Sequence, residues 1–137
     1  MKSFINIILC VCILFSYSIR SEDIPYLLTA SSKGDIESVK AIIESGGNPN
    51  TEDGNKVTAL MYASRKNQVD VARYLISKGA EVNKQEIDGW TALMYASKNN
   101  YSDMVELLTN NNADLKVTDS DGWTAYGLAA TSGNHQT

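Results

Sequence analysis

One phrase of seven residues occurs twice in the chain, and its spacing constrains the fold more than any other feature. TALMYAS begins at Thr58 and returns unchanged at Thr91, and the related TAYGLA begins at Thr124. The spacing is 33 residues both times, and the units 58–90 and 91–123 are identical at 14 of 33 positions. A fixed period of this size is typical of proteins built from stacked structural repeats.

Each unit contains two short segments with helical periodicity. In 58–67 the apolar residues cluster on one side, after a threonine that can cap the first amides. A second helix is predicted at 69–77 and at 102–110, where apolar residues recur three and four apart. Gly or Asn follows each helix, and both residues tolerate a left-handed C-cap. No unit can bury its apolar side alone, so we expect an all-α solenoid whose stacked units share one core.

A polar, turn-rich stretch follows each second helix. It contains Asp-Gly at 88–89 and at 121–122, a dipeptide that strongly favours a tight turn. The sequence therefore predicts that each helical pair is followed by a projecting, hairpin-like loop.

These features together resemble the ankyrin-repeat family from about Pro25 to the C-terminus. The family pattern is D-x-x-G-x-T-P-L-H-x-A-A-x-x-G with a later L-L-x-x-G-A-D-x-N. The matching stretches are EIDGWTALMYASKNN at 86–100, LISKGAEVN at 75–83 and DSDGWTA at 119–125. The resemblance implies an ankyrin-repeat domain at 25–137, with repeats at 25–57, 58–90 and 91–123 and a half-repeat at 124–137.

The chain departs from the family pattern in two informative columns. Met61 and Met94 replace a histidine whose ring in the family hydrogen-bonds neighbouring loops. We therefore expect that polar ladder to be absent and apolar packing to carry more of the coupling between repeats. Lys56 stands where Gly89 and Gly122 stand in the later loops, which predicts a different turn in the first loop.

The start of the chain differs in kind from the repeats. Lys2 precedes an apolar run at 4–15 that is interrupted only by one asparagine, and small or polar residues follow. This pattern predicts a secretory signal peptide at 1–18, then a short linker at 19–24, with cleavage as late as Ser21 as an alternative. The run is shorter than the roughly 20 residues that a membrane span needs, so an uncleaved anchor is disfavoured. We expect export to the periplasm or medium of a bacterial source, and no membrane association after cleavage.

The residues that remain after cleavage offer little for catalysis. Cys10 and Cys12 lie inside the predicted signal peptide, so no thiol remains for a nucleophile, a zinc site or a disulfide. His135 is the single histidine and lies near the C-terminus, where the rigid support that a general base requires is rare. We expect no enzymatic activity, no cofactor and no metal.

Acidic residues recur in the loops with the repeat period. They are expected to start turns, with a calcium site as the weaker alternative: Asp53, Glu86, Asp88, Asp119 and Asp121. The net charge of −4 and a pI near 4.9 argue against nucleic acid, since its binding proteins present a basic stripe.

The resemblance implies a concave binding side made of loop tips and inner-helix ends. Carried over position by position, the candidate contacts with a protein partner are Lys33, Asn55, Val57, Arg65, Lys66, Lys78, Ile87, Asp88, Trp90, Lys98, Asn99, Asn111, Ser120, Asp121 and Trp123. Trp90 and Trp123 share one column and are predicted either to anchor a partner or merely to pack on the next loop and stiffen it. The basic column formed by Lys33, Arg65, Lys66 and Lys98 either steers a polar partner or is simply solvated.

The favoured function is therefore an exported, non-catalytic protein-interaction module, expected to be monomeric. The alternative is a structural protein that self-associates through an open C-terminal end, where Leu128 and Ala129 are expected to be incompletely covered. A small-molecule-binding or enzymatic solenoid is less favoured, because single-layer stacking implies no deep apolar pocket.

Overall fold

The computed structural model describes residues 25–132, and seven α-helices account for most of the regular structure in that range. In chain order they are α1 Tyr26–Lys33, α2 Ile36–Glu44, α3 Ala59–Arg65, α4 Val69–Ser77, α5 Ala92–Lys98, α6 Ser102–Asn110 and α7 Ala125–Thr131. In this range the only β-type pairing is an isolated bridge between Glu52 and Thr58. The predicted signal peptide, the predicted linker and His135 lie outside the described residues.

Threonine side chains begin three of the helices. The hydroxyl oxygens of Thr58 and Thr91 accept hydrogen bonds from backbone amides three residues later, both at 3.3 Å, and Thr124 does the same at 3.1 Å. Each bond satisfies an amide that the first turn of a helix leaves without a partner. The predicted capping role of the repeated threonine is confirmed.

Left-handed residues end the helices, as the sequence predicts. After the inner helices, Gly34, Asn67 and Asn100 have φ of 75°, 57° and 58°. After the outer helices, Gly79 and Asn112 have φ of 98° and 69°. The bounds of α4 and α6 agree with the ranges predicted from apolar spacing. Left-handed residues follow only their C-terminal ends, since Gln68 and Tyr101 make no side-chain capping bond at the N-termini.

The helices form two stacked layers. The inner helices α1, α3, α5 and α7 pack on one another in order, and the outer helices α2, α4 and α6 pack on their own inner partners and on each other. Leu28, Met61 and Met94 share one column, and all are at most 1% exposed. Leu75 and Leu108 of the outer layer are completely buried. The core therefore runs continuously through the repeats, as stacking requires.

None of the helices within residues 25–132 combines the length and the apolarity that crossing a bilayer would need.

Polar side chains also connect neighbouring repeats, through a column other than that of Met61 and Met94. The side-chain nitrogen Nδ2 of Asn50 donates to the carbonyl of Gly79 at 3.2 Å, and the side-chain oxygen Oδ1 accepts from the backbone amide of Glu81 at 2.8 Å. Asn83 makes both contacts again one repeat later, at 3.1 and 2.7 Å. An asparagine carries both a donor and an acceptor, so one side chain satisfies two backbone groups of the next repeat. A different column thus supplies the ladder that the two methionines cannot form.

The first loop makes the same turn as the later two, so the turn prediction drawn from Lys56 is wrong. The φ angles of Lys56, Gly89 and Gly122 are 64°, 84° and 86°. A left-handed conformation costs a residue with a side chain roughly 1–2 kcal/mol. Lys56 nevertheless adopts it, because hydrogen bonds around a carboxylate in the same loop hold the turn closed.

Candidate functional site

Three loops project between the helical pairs, and one carboxylate organises each of them. We define the first loop as 52–57, the second as 85–90 and the third as 118–123. Asp53 accepts hydrogen bonds from the amides of Asn55 at 2.8 Å and Val57 at 3.0 Å. Glu86 in the second loop and Asp119 in the third each accept the same two bonds, at 2.7 to 2.9 Å.

The turn role predicted for these three acidic residues is confirmed, since one oxygen of each accepts two amides of its own loop. Asp88 and Asp121 are instead exposed at the loop tips. Within the described part of the chain, His, Cys, Asp and Glu form no group of three or more that could hold a metal ion.

Backbone hydrogen bonds tie the loop tips to one another. The amide of Ile87 donates to the carbonyl of Asn55 at 3.0 Å, and the amide of Ser120 donates to the carbonyl of Asp88 at 2.9 Å. The side chain of Gln85 adds a bond to the carbonyl of Thr118 at 3.0 Å. The tips therefore form one connected edge whose side chains are held in fixed relative positions, which lowers the entropic cost of binding.

Tyrosines from the inner helices brace the first two loops. The hydroxyl of Tyr62 donates to Asp53 at 2.6 Å, and that of Tyr95 donates to Glu86 at 3.3 Å. Burial, together with the charge of the Glu86 carboxylate, raises the pKa of Tyr95 to about 12. Leu128 occupies the equivalent column beside the third loop, so that loop receives no tyrosine brace from this position.

The environment of Asp53 stabilises its ionised form. Partial burial acts to raise the pKa of Asp53, but the hydrogen bonds from Tyr62, Val57 and Asn55 and the positive charge of Arg65 outweigh it. The pKa of Asp53 is consequently held below its ordinary value. The first loop therefore depends on a carboxylate that stays charged under ordinary conditions.

An arginine and three aromatic rings lie in sequence beside these loops. The guanidinium carbon of Arg65 is 4.9 Å from the ring centroid of Tyr62 and 5.8 Å from that of Tyr95. The ring of Trp90 lies 5.0 Å from Tyr95, with the two planes tilted by 51°. We call these four side chains the aromatic–arginine row. Cation–π contact of this kind holds a cation over flat apolar surfaces, in an arrangement suited to recognition.

Most of the predicted contact residues lie on the surface. Those that are exposed are Lys33, Asn55, Arg65, Lys66, Lys78, Ile87, Asp88, Lys98, Asn99, Ser120, Asp121 and Trp123, and those that are half-buried are Trp90 and Asn111. Val57 is the exception, with only 7% of its surface exposed. The prediction for Val57 is wrong, because its small side chain turns into the core in the column that tryptophan fills later.

Lys78 and Asn111 lie apart from the inner-helix residues, at the ends of outer helices. The ammonium of Lys78 is 5.6 Å from the ring centroid of Tyr74 in α4, and Asn111 donates to the carbonyl of Leu107 in α6. Since both side chains contact their own outer helix, we do not assign them to the surface formed by the loop tips and the aromatic–arginine row.

The two tryptophans have different environments despite sharing a column. Trp90 is half-buried against Tyr95 of α5, the inner helix that follows its loop. Trp123 is 45% exposed, and its ring lies over Gly127, where an added Cβ would come within 2.9 Å of it. Trp123 therefore keeps more of its ring available for contact.

The residues predicted from sequence do not include Tyr62 and Tyr95, because TALMYAS is identified there only as the repeated phrase that begins a helix. Both tyrosines are half-buried, and both place their hydroxyls on a loop carboxylate nine residues earlier in the chain. The available signal was that tyrosine is the one aromatic residue in this apolar phrase and carries a polar group, which usually finds a partner when buried.

A groove of about 520 Å³ lies elsewhere, between the outer helices α2 and α4. It is lined by Ile36, Lys40, Asp70, Arg73, Tyr74 and Ser77. Arg73 and Asp70 on its rim pair with each other at 2.9 Å, with side chains 61% and 87% exposed. A solvated ion pair of this kind contributes little to the free energy of folding. The lining of this groove offers no connected edge like that of the loop tips, so we do not choose it as the site.

The end of the stack is open at different residues from those expected. Leu128 and Ala129 are only 6% and 1% exposed, so the expectation that they are incompletely covered is wrong. Their side chains are enclosed where α7 packs on α5. The exposed apolar residues nearby are Leu115 and Tyr126, at 61% and 71%.

Comparison with known families gives one match. A family model described as "Ankyrin repeats (3 copies)" matches residues 9–86, 27–119 and 80–137. No curated protein matches the chain significantly.

Proposed function

Because the chain belongs to the ankyrin-repeat family, whose repeats are generally protein–protein interaction modules, we propose that it binds a protein partner without catalysing a reaction. The contact surface is formed by the loop tips together with the aromatic–arginine row. The observation that carries this proposal is the pair of backbone hydrogen bonds from Ile87 to Asn55 and from Ser120 to Asp88, which connect the three tips. A connected edge positions its side chains before a partner arrives.

The composition of this surface supports a protein ligand. Ile87 is 64% exposed at a tip, Trp123 is 45% exposed, and Arg65 lies beside two tyrosine rings. Trp, Tyr and Arg are the residue types that most often dominate the energy of protein interfaces. A small-molecule ligand would instead require an enclosed pocket.

Charge on this surface favours a polar partner with its own charge pattern. Lys33, Arg65 and Lys66 are exposed at the ends of α1 and α3, whereas the exposed tips carry Asp88 and Asp121. Separated charges of opposite sign raise the rate of encounter and fix the register of the complex. We therefore expect the association rate to fall as ionic strength increases.

A pair of matched arginine variants tests this surface. Arg65 at the end of α3 and Arg73 in α4 are both exposed, so Arg65→Glu and Arg73→Glu make the same charge change on the inner and outer layers. After affinity capture and identification of the partner, calorimetry should show Arg65→Glu and Ile87→Asp weakening binding about tenfold or more, which is about 1.4 kcal/mol. Arg73→Glu should stay within about twofold. The reverse pattern would place the interface on the outer helices and refute the proposal.

Export is part of the proposed function, supported by Lys2 and the apolar run at 4–15. Intact-mass measurement of the protein in its native compartment should find a chain that begins at Ile19, or at Glu22 if cleavage follows Ser21. Retention of Met1 would show an uncleaved anchor. We further propose that the exported chain is a monomer, and light scattering should give a mass that does not change with concentration.

A further inference from the structure

A second concavity lies at the end of the stack, distinct from the loop tips. It has a volume of about 180 Å³ and is lined by Leu93, Ser97, Val105, Leu115, Ala125 and Tyr126. Leu115 and Tyr126 are 61% and 71% exposed, although both are large apolar residues. These two exposed side chains lie together at one concavity and are not scattered singly over the surface. We call this concavity the end groove.

The repeat period identifies the equivalent position one unit earlier. The residues 33 positions before those that line the end groove are Leu60, Ser64, Ala72, Val82, Ala92 and Leu93. There, all of these residues are at most 2% exposed except Val82, which is half-buried against the core. Leu115 and Tyr126 are therefore exposed at the end of the stack, whereas the residues at their equivalent positions, Val82 and Leu93, are covered inside it.

The helix α6 covers the earlier position. It packs on α4 and α5, and its completely buried residues are Met104 and Leu108, four positions apart. Residues at this spacing lie on one face of a helix. Within residues 25–132 no outer helix packs on α7 in the corresponding way. The end groove thus has the shape of a surface that receives one helix through two apolar side chains.

Lys116 favours a single helix over another repeat as the occupant. It stands 33 residues after Asn83, which donates to the carbonyl of Asn112 and accepts from the amide of Asp114 in the next repeat. A lysine ammonium has no acceptor, so Lys116 cannot make the second bond. Asn112 is two residues past the end of α6, so Lys116 lies near where a docked helix would end. A cation there is favourable, because helix C-termini carry partial negative charge.

We propose that the end groove binds an amphipathic helix of a partner protein. The helix presents two apolar side chains four residues apart, as Met104 and Leu108 do, and its C-terminus lies beside Lys116. This surface is separate from the loop tips and does not depend on them.

A peptide copied from α6 tests the proposal. The probe is residues 101–112, acetylated and amidated, with a lactam bridge between Glu106 and the lysine introduced by Asn110→Lys, because a free helix of this length is marginal in water. It is titrated into the isotope-labelled full chain and followed by NMR. We expect saturable shifts at Val105, Leu115 and Ala125 and unchanged signals at the loop tips.

Matched variants separate this site from the proposed concave surface. Leu115 and Ile87 are exposed to similar extents, at 61% and 64%, so aspartate at either should leave the chain folded, as circular dichroism would verify. Leu115→Asp should weaken peptide binding about tenfold or more, since it places an unpaired carboxylate against apolar side chains. Ile87→Asp should change it by less than about twofold. Lys116→Glu should weaken it several-fold, and a peptide with Met104→Asp and Leu108→Asp should not bind.

Three results would overturn the proposal. The first is that the peptide causes no NMR shifts at millimolar concentration. The second is that the Leu115→Asp and Tyr126→Glu variants both bind the peptide as tightly as the unchanged chain does. Shifts at Leu115 that depend on protein concentration without peptide would show that a second copy occupies the groove instead.

Discussion

The second and third loops have the same backbone and different surroundings. Both close with an amide-to-carbonyl bond of 2.9 Å, from Glu86 to Trp90 and from Asp119 to Trp123. The second lies between two neighbours and is braced by Tyr95, which also packs on its tryptophan. Within residues 25–132 the third is followed by α7 alone, and its tryptophan is 45% exposed. Repetition of the sequence therefore determines the turn, whereas the packing of the following helix determines which side chains remain available to a partner.

The largest expected difference is in stability, between substitution of a buried leucine inside the stack and of an exposed leucine at its end. Leu108 is completely buried and Leu115 is 61% exposed, although both are leucines of the same repeat. Leu108→Ala should lower the free energy of unfolding by about 2–5 kcal/mol, because it removes apolar contacts and leaves a cavity. Leu115→Ala should change it by about 0.5 kcal/mol or less. Urea unfolding measures both, and equal effects would contradict an open end.

The next largest difference in stability is expected for the asparagines that bond to the following repeat, Asn50 and Asn83. Asn83→Ala removes two hydrogen bonds to the following repeat and should destabilise the chain by about 1–2 kcal/mol. Lys116→Ala, at the equivalent position in the last full repeat, should change stability by about 0.5 kcal/mol or less. Thermal unfolding of the two variants under the same conditions makes the comparison. A neutral Asn83→Ala would mean that apolar packing alone couples the repeats.

One substitution in the strained first loop is expected to stabilise the folded chain. Lys56→Gly should raise the free energy of unfolding by about 1 kcal/mol, because glycine adopts φ of 64° without steric penalty. Gly89→Ala is the opposite change in the second loop and should destabilise, since its Cβ would lie 2.9 Å from the amide nitrogen of Ser120. If Lys56→Gly destabilised the chain, the lysine side chain would have a role that its geometry does not reveal.

The smallest expected effect is a shift in pH dependence at the first loop. The pKa of Asp53 is lower in the folded chain than its ordinary value of 3.8, so the folded form binds this proton less tightly. The stability that Asp53 contributes is therefore complete above about pH 4 and is lost as the pH falls through the folded-state pKa. Tyr62→Phe removes one hydrogen bond to the carboxylate and should raise the pKa of Asp53, which NMR titration of its side chain would detect. An unchanged pKa would show that the loop amides alone hold the charge.

The sequence predicted the helices well because capping and apolar spacing repeat together. Thr58 and Asn67 mark the two ends of α3, and a helix end depends mainly on such local signals. The 33-residue period then predicted the stacking, which no single unit reveals. The loop tips were also predictable, since Asp-Gly turns favour exposed positions.

The errors arose where a side chain depends on its neighbours in space. Val57 shares a column with two tryptophans, but its size lets it enter the core. Lys56 adopts a glycine conformation because Asp53 closes the loop, a balance of energies that residue preference alone does not show. The roles of Asn50 and Asn83 became visible only when the next repeat placed its backbone beside them.

The central claim is that the loop tips form one connected edge before any partner binds. Native-state hydrogen exchange at the amides of Ile87 and Ser120 tests it most directly, because these two amides make the bonds between loops. We expect both amides to exchange at least about a hundredfold more slowly than in an unfolded chain of the same sequence. Exchange at the unfolded rate would mean that the tips move independently, and would contradict the claim.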